Sequence, residues 1–120
     1  MEFEKHLSEP WFSLIKLGLK KCEGRLKKGD FSNMKKGDFI KFENNDFNFK
    51  RTFLVKITSI HYYSSFHEYL EKEGLNMCLP GIDSIEDGIK IYHKYYPIEE
   101  EEKYNIVAIR FYNKKKNNNG

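Results

Sequence analysis

The residues of this sequence that could do chemistry are concentrated in GLKKCEGRL, residues 18–26. This stretch places Gly18, Lys20, Glu23 and Arg25 in the order G-x-K-x-x-E-x-R. A carboxyl group next to cations stays ionised, because nearby positive charge favours its charged form. Arg25 could bind a phosphate or a base edge through two parallel hydrogen bonds. Lys20 could act as a base or nucleophile only if burial or a neighbouring cation favoured its neutral amine.

The same spacing fits three kinds of site. If 21–27 is extended, Glu23 and Arg25 lie on one face because side chains alternate along a strand, whereas Lys20 lies in the preceding turn. A surface that only attracts polyanions needs the cations but not the carboxylate. Three interpretations therefore stay open: an ion-pair network that braces the fold, a ligand pocket, and a catalytic centre.

Basic residues are enriched around this stretch. Residues 1–60 contain 13 Lys and Arg against 8 Asp and Glu. Such clustering is typical of a chain that binds a polyanion, although a Lys- and Asn-rich composition alone also produces it. The loop 27–37 is flanked by lysines that would either contact phosphates or remain solvated. The phosphate-contact candidates are Lys27, Lys28, Lys35 and Lys36.

Aromatic residues offer rings on which a base could stack, at roughly 1–3 kcal/mol per base. Tyr63 and Phe66, at a predicted strand-to-helix junction, are the candidates for lining a pocket, whereas Trp11 fits a core position. The four histidines and two cysteines show no metal-ligand spacing, so neither a metal nor a cofactor is predicted. The full aromatic set considered is Trp11, Phe12, Tyr62, Tyr63, Phe66, Tyr95 and Tyr96.

Capping signals predict three helices that surround these residues. Ser8 predicts a helix over 9–18, and Ser65 with Glu68 forms a capping-box pattern that opens a helix over 65–73. Asp83 or Ser84 caps a third helix over 84–95. Between the helices, NMCLPG is predicted as a loop and the acidic run 99–102 as a solvated segment.

Alternating apolar and β-branched residues predict five strands. Short connections and strands close together in sequence disfavour a doubly wound parallel sheet. The predicted fold is α+β, a small mixed or antiparallel β-barrel with three peripheral helices. One domain spans 1–112, and 113–120 is predicted to be a disordered Lys- and Asn-rich tail. The strands are expected near the N-terminus and over 21–27, 39–42, 51–63 and 104–112.

The sequence resembles the ASCH domain, a family of the PUA-like superfamily of small β-barrels. The resemblance is carried by the G-x-K-x-x-E-x-R motif within EPWFSLIKLGLKKCEGRL and by the following KKGDFIKF. It continues through SSFHEYLEKEG, LPGIDSIEDGIKIYHKYYP and YNIVAIRF. Altogether it covers roughly residues 3–112.

The resemblance implies an RNA- or nucleotide-binding module whose cleft, rimmed by Lys20, Glu23 and Arg25, recognises a modified base. An alternative is an amidohydrolase that cleaves N4-acylated cytidine, as some small bacterial members do. Those members use the motif lysine, a threonine three residues later and a later glutamate. Here the lysine is Lys20, the position of the threonine is occupied by Glu23, and the later glutamate would fall near Glu73. A third alternative is a protein-interaction module whose basic face meets an acidic partner.

Composition limits the remaining possibilities. The 120 residues fit one domain, and an aromatic content of 16% provides for a substantial core. No apolar run approaches the roughly 20 residues of a membrane-spanning helix, and the N-terminus lacks the order of a signal peptide. Two cysteines do not make a disulfide framework, so we expect an intracellular protein, cytoplasmic or nuclear, without a membrane partner.

Overall fold

The computed structural model describes residues 1–114, which form five strands, five helices and two short 3₁₀ turns. The strands are β1 (Glu2–His6), β2 (Cys22–Leu26), β3 (Phe39–Asn44), β4 (Arg51–Tyr63) and β5 (Ile106–Asn113). The helices are α1 (Trp11–Lys16), α2 (Phe66–Glu73), α3 (Leu75–Cys78), α4 (Ile85–Tyr95) and α5 (Ile98–Tyr104).

All five strands belong to one mixed sheet with the order β1-β3-β4-β5-β2. The central strands pair antiparallel, as their proximity in sequence predicts, and β1 alone pairs parallel, with β3. The sheet is a half-barrel whose edges are β1 and β2. The predicted α+β class with a small mixed barrel is confirmed, and the two edges define the place where the charged motif lies.

Local signals account for two of the helices. The hydroxyl of Ser65 accepts a hydrogen bond from the third residue of α2, and the hydroxyl of Ser84 does the same for α4. The predicted cap at Ser8 is wrong: α1 begins at Trp11, and the Ser8 hydroxyl lies 3.2 Å from the Tyr95 hydroxyl. The first turn of α1 is instead held by a neighbouring carboxylate, that of Glu9.

Five helices surround the sheet where three were predicted. The single turn α3 lies in the stretch that predicted a loop, and α5 contains the acidic run that predicted a solvated segment. Glu101 of this run is buried and accepts hydrogen bonds from the Phe66 amide and His93 Nε2, both at 2.7 Å. A carboxylate with two such partners is stable inside the protein, which local sequence does not indicate.

The two faces of the sheet carry separate hydrophobic cores. Strand β5 contributes side chains to both cores, because successive residues point to opposite faces. Val107 and Ile109 belong to the first core, and Ile106 and Ala108 to the second. The first core includes α1, β1, β3 and β4, whereas in the second α2 and α3 pack against β2 and α4 packs against α2. Strand β2 is therefore fixed firmly at the sheet edge.

A register shift interrupts β4 between Ile57 and Ser59. Strict alternation predicts Ser59 on the same face as Val55 and Ile57. The irregularity leaves one residue without a partner, and it is Ile60 that packs against the first core. The residues of β4 that face the first core are therefore odd-numbered up to Ile57 and even-numbered at Ile60.

The chain end and the surface complete the description. Strand β5 extends to Asn113, whose amide donates to the carbonyls of Ile15 and Lys16. The last six residues of the predicted tail, 115–120, lie outside the described residues. No helix within residues 1–114 is long and apolar enough to cross a membrane.

Candidate functional site

The turn after α1 places Lys20 at the entrance to β2. Gly18 has φ +81°, a left-handed conformation that glycine adopts without penalty. The amides of Leu19 and Lys20 both donate to the carbonyl of Leu14, which closes the helix end. The glycine of the motif is therefore required by the backbone of this turn.

Lys20 is buried, with 2% of its surface exposed. Its ammonium donates to the carbonyl of Cys22 at 2.9 Å and to the carbonyl of Cys78, and it lies 3.3 Å from Glu23 Oε1. An ammonium group has three N–H donors, and the two backbone carbonyls take two of them. Lys20 therefore connects α3 with β2 and forms an ion pair with the carboxylate.

Glu23 is held between two cations. Its Oε1 faces Lys20, and its Oε2 accepts a 2.6 Å hydrogen bond from Arg25 Nε. Burial opposes ionisation, but the charges of Arg25 and Lys20, together with their hydrogen bonds, outweigh it and hold the pKa of Glu23 below its usual value. The group is an ionised acceptor at neutral pH.

Arg25 connects the two edges of the half-barrel. Its Nη2 donates to the carbonyl of His6, the last residue of β1, at 3.0 Å. Its guanidinium lies 4.9 Å from the ring centre of Phe31. Arg25 therefore spans the gap between β1 and β2 and fixes the position of Glu23.

A cleft of about 360 Å³ opens over these three charged residues. Its walls come from the end of β1, from α1, from β2 and from α4, and four aromatic side chains contribute to them. The exposed fraction of Tyr95 is 53%, whereas Tyr92 is buried behind it. The cleft is lined by His6, Leu7, Ser8, Trp11, Lys20, Glu23, Gly24, Arg25, Leu79, Ile91, Tyr92, Tyr95 and Tyr96.

A second depression, called here the basic hollow, adjoins the cleft and measures about 300 Å³. Arg25 and Tyr96 line both spaces, so the two are neighbours on the surface. The remaining lining residues of the basic hollow are Lys5, Leu26, Lys28, Gly29, Asp30 and Phe31.

The predicted aromatic candidates Phe66 and Tyr63 do not line the cleft. Phe66 is fully buried and stacks on Tyr92 with ring centres 4.5 Å apart, so it supports the wall from behind. Tyr63 donates its hydroxyl to Glu73 at 2.5 Å. Trp11 and Tyr95, from the wider aromatic set, line the cleft instead.

Glu73 belongs to a different cluster from Lys20. Its carboxylate accepts from Arg110 Nε at 2.7 Å and from Tyr63, and it lies 3.2 Å from His61 Nδ1. Burial opposes ionisation, but the hydrogen bonds from Tyr63 and Arg110 hold the pKa of Glu73 below its usual value. The structure therefore does not bring Glu73 into the cleft with Lys20.

The four phosphate-contact candidates occupy different positions. Lys28 lines the basic hollow and pairs with Glu100 at 3.0 Å. Lys27 lies 4.3 Å from the ring centre of Tyr62, on the outer surface. Lys35 and Lys36 are exposed and line neither space.

Sequence reasoning missed the rim formed by His6, Leu7 and Ser8 and the wall formed by Ile91 and Tyr92. The apolar stripe of the 84–95 helix marks Tyr92 as inward-facing, which is the available signal. Across residues 1–114, no group of three or more His, Cys, Asp or Glu side chains is placed to hold a metal ion. Both cysteines are buried thiols, and the neighbouring Cys78 together with burial raises the pKa of Cys22.

A half-barrel with a charged, aromatic-walled cleft between its edge strands defines a small α+β module of the PUA-like type. The family model for the ASCH domain matches residues 6–115. This chain belongs to the ASCH domain family.

Two solved structures are similar to this chain. The crystal structure of hypothetical protein PH0355 is 44% identical, covers 95% of this chain and 100% of its own, and has a TM-score of 0.86. The solution structure of protein PF0455 from Pyrococcus furiosus is 43% identical, covers 97% and 100%, and has a TM-score of 0.78. A search of curated proteins finds no significant match.

Proposed function

We propose that this ASCH domain binds RNA or a nucleotide by inserting one base into the cleft. The observation that carries the proposal is the ionised Glu23 beside the Arg25 guanidinium on the floor of an aromatic-walled space. ASCH domains are PUA-like modules that generally bind RNA, which supports the same interpretation.

The floor offers a hydrogen-bond acceptor next to a donor. A carboxylate has about four acceptor positions, and Lys20 and Arg25 occupy one on each oxygen of Glu23. The guanidinium has five N–H donors in a fixed fork, of which Glu23 and the His6 carbonyl take two. A base that presents an amino group beside a ring acceptor matches this pair.

The walls supply stacking surface. Trp11 belongs to α1 and Tyr95 to α4, and Tyr96 follows directly after α4. Stacking of a base on an aromatic ring is worth about 1–3 kcal/mol. The floor would therefore orient the base while the walls provide much of the affinity.

Trp11 is the only tryptophan of the chain and lines the cleft, so its fluorescence reports occupancy directly. We expect titration with single-stranded RNA or with nucleotides at low salt to change this signal. Loss of the exposed Tyr95 ring in Tyr95→Ala is expected to weaken binding about 5- to 150-fold. Tyr112→Ala is the matched control, because Tyr112 is equally exposed on β5, outside the cleft.

The proposal is abandoned if neither single- nor double-stranded RNA nor any nucleotide binds at low salt. Equal loss of affinity in Tyr95→Ala and Tyr112→Ala would place the bound ligand elsewhere on the surface. An acidic protein that stays bound in a pull-down after nuclease treatment would favour the protein-interaction alternative.

The amidohydrolase alternative has less support from the geometry. Lys20 donates to two buried carbonyls and forms an ion pair with Glu23, and Glu73 lies in another cluster. A catalytic lysine needs a free amine next to the reacting carbonyl. Release of cytidine from N4-acetylcytidine, abolished in a folded Glu23→Gln variant, would nevertheless establish this activity.

A further inference from the structure

We propose that the basic hollow binds the phosphate attached to the nucleoside whose base occupies the cleft. This inference rests on the proposed function and adds a second subsite with its own chemistry. The ligand would then be a phosphorylated nucleotide or a strand, and a bare nucleoside would fill only half of the site.

The proximity of the two spaces is the first argument. Arg25 and Tyr96 line both, so a ligand that extends from the cleft past Arg25 would reach the basic hollow. Arg25 could therefore contact the base edge and the phosphate of one ligand. This arrangement fits a molecule with a polar, planar end and an anionic end.

Charge is the second argument. Three cations line the basic hollow, namely Lys5, Arg25 and Lys28, against one acid, Asp30. Lys5 lies 5.2 Å from the ring centre of Phe31, the same ring that the Arg25 guanidinium contacts. Both cations thus lie against one phenyl ring that itself lines the basic hollow.

The existing ion pairs of the two lysines do not block a phosphate. Lys5 pairs with Asp30 at 2.7 Å and Lys28 with Glu100 at 3.0 Å. Asp30, Lys28 and Glu100 are substantially exposed, and exposed pairs are worth about 0–1 kcal/mol. A terminal phosphate carries more negative charge than one carboxylate and has three acceptor oxygens, so it can compete with Asp30 and Glu100 for the lysines.

The test compares ligands that share a base and differ in phosphate. The probes are the four ribonucleosides, their 5′- and 3′-monophosphates and the corresponding dinucleoside monophosphates, followed by Trp11 fluorescence and calorimetry. We expect at least one phosphorylated form to bind about tenfold or more tightly than its nucleoside. A gain with monophosphates alone identifies a terminal phosphate, whereas an equal gain with dinucleosides identifies the diester of a strand.

Two double variants with the same charge change assign the effect. Lys5→Gln/Lys28→Gln should remove most of the gain from the phosphate and leave nucleoside affinity unchanged. Lys35→Gln/Lys36→Gln, on exposed positions outside both spaces, should retain the gain. Circular dichroism and thermal unfolding confirm that both variants are folded.

The possible failures are distinguishable. If nucleosides bind but their phosphates bind no more tightly, the basic hollow has no such role and the base-binding proposal stands. If both double variants lose the gain equally, the effect is general electrostatics and the inference is wrong. If no nucleoside and no nucleotide binds, the proposed function fails and the inference fails with it.

Discussion

Replacing Lys20 with methionine tests whether the motif lysine is a structural element of the site. Methionine has a similar length and no charge, so the change removes the ammonium and leaves most of the packing volume. The carbonyls of Cys22 and Cys78 lose a hydrogen-bond donor, and Glu23 loses one of its two ion-pair partners.

The expected loss follows from these contacts. Removing one partner of a buried ion pair costs about 3–5 kcal/mol, and each orphaned buried acceptor about 1–3 kcal/mol. These contributions overlap, because one group makes all three contacts, and Glu23 keeps Arg25. We therefore expect Lys20→Met to lower the free energy of unfolding by about 3–5 kcal/mol, out of a total that is typically about 5–15 kcal/mol.

Urea unfolding followed by circular dichroism measures this difference, and the neighbouring residue provides the control. Lys21 is exposed, so Lys21→Met should change the free energy of unfolding by less than about 0.5 kcal/mol. If Lys20→Met costs no more than Lys21→Met, the buried ammonium does not support the site, and the interpretation of Lys20 as a positioning residue is refuted.

Three further predictions concern packing, capping and acid. A Cβ on Gly24 would lie 2.4 Å from Cζ of the buried Tyr69, so Gly24→Ala should destabilise by about 1–3 kcal/mol in urea, and an unchanged midpoint would contradict this packing. Glu101→Ala leaves the first amide of α2 without its acceptor and should lower the free energy of unfolding by about 1–3 kcal/mol, whereas Glu102→Ala, at an exposed position, should change it little. Equal losses in the two variants would contradict the role of Glu101 in capping α2. Because the folded pKa of Glu23 lies below its ordinary value of 4.5, its ion pairs stabilise the protein fully above pH 4.5, and this stability is lost as the pH falls through the folded pKa. Urea midpoints measured across this acid range should therefore fall more steeply for the wild type than for Glu23→Gln, and parallel curves would argue against it.

The elements that the sequence predicts correctly are those with local causes. The caps at Ser65 and Ser84 act within one turn, so their pattern is visible in the residues themselves. The helix containing Glu101 was missed because its buried carboxylate is satisfied by α2 and α4, which are distant in sequence. The face change along β4 depends on a register shift that alternation cannot reveal.

The candidate site likewise has features with local causes, which the sequence predicts, and features that depend on elements distant in sequence. The spacing of Glu23 and Arg25 correctly places both on one strand face, because that geometry is local. The burial of Lys20 depends on α3, and the aromatic wall depends on where α4 packs across the sheet edge. Phe66 and Tyr63 were predicted from their place at a strand-to-helix junction. Phe66 instead packs in the second core, and Tyr63 donates a hydrogen bond to Glu73.

The floor and the α4 wall of the cleft differ in how much they contribute to the fold, and this difference has a consequence for how such domains diversify. Gly18, Lys20 and Arg25 stabilise the fold through a left-handed turn, buried contacts and a hydrogen bond between the edge strands. Exposed positions of the α4 wall, such as Tyr95, contribute little to the stability of the fold. Selection can therefore change the wall without endangering the scaffold. Two proteins that share G-x-K-x-x-E-x-R should share this charged floor and can still prefer different ligands. On the proposed function, ligand preference within the family is then to be sought in the α4 wall, where a single aromatic exchange alters the shape of the cleft and leaves its charge intact.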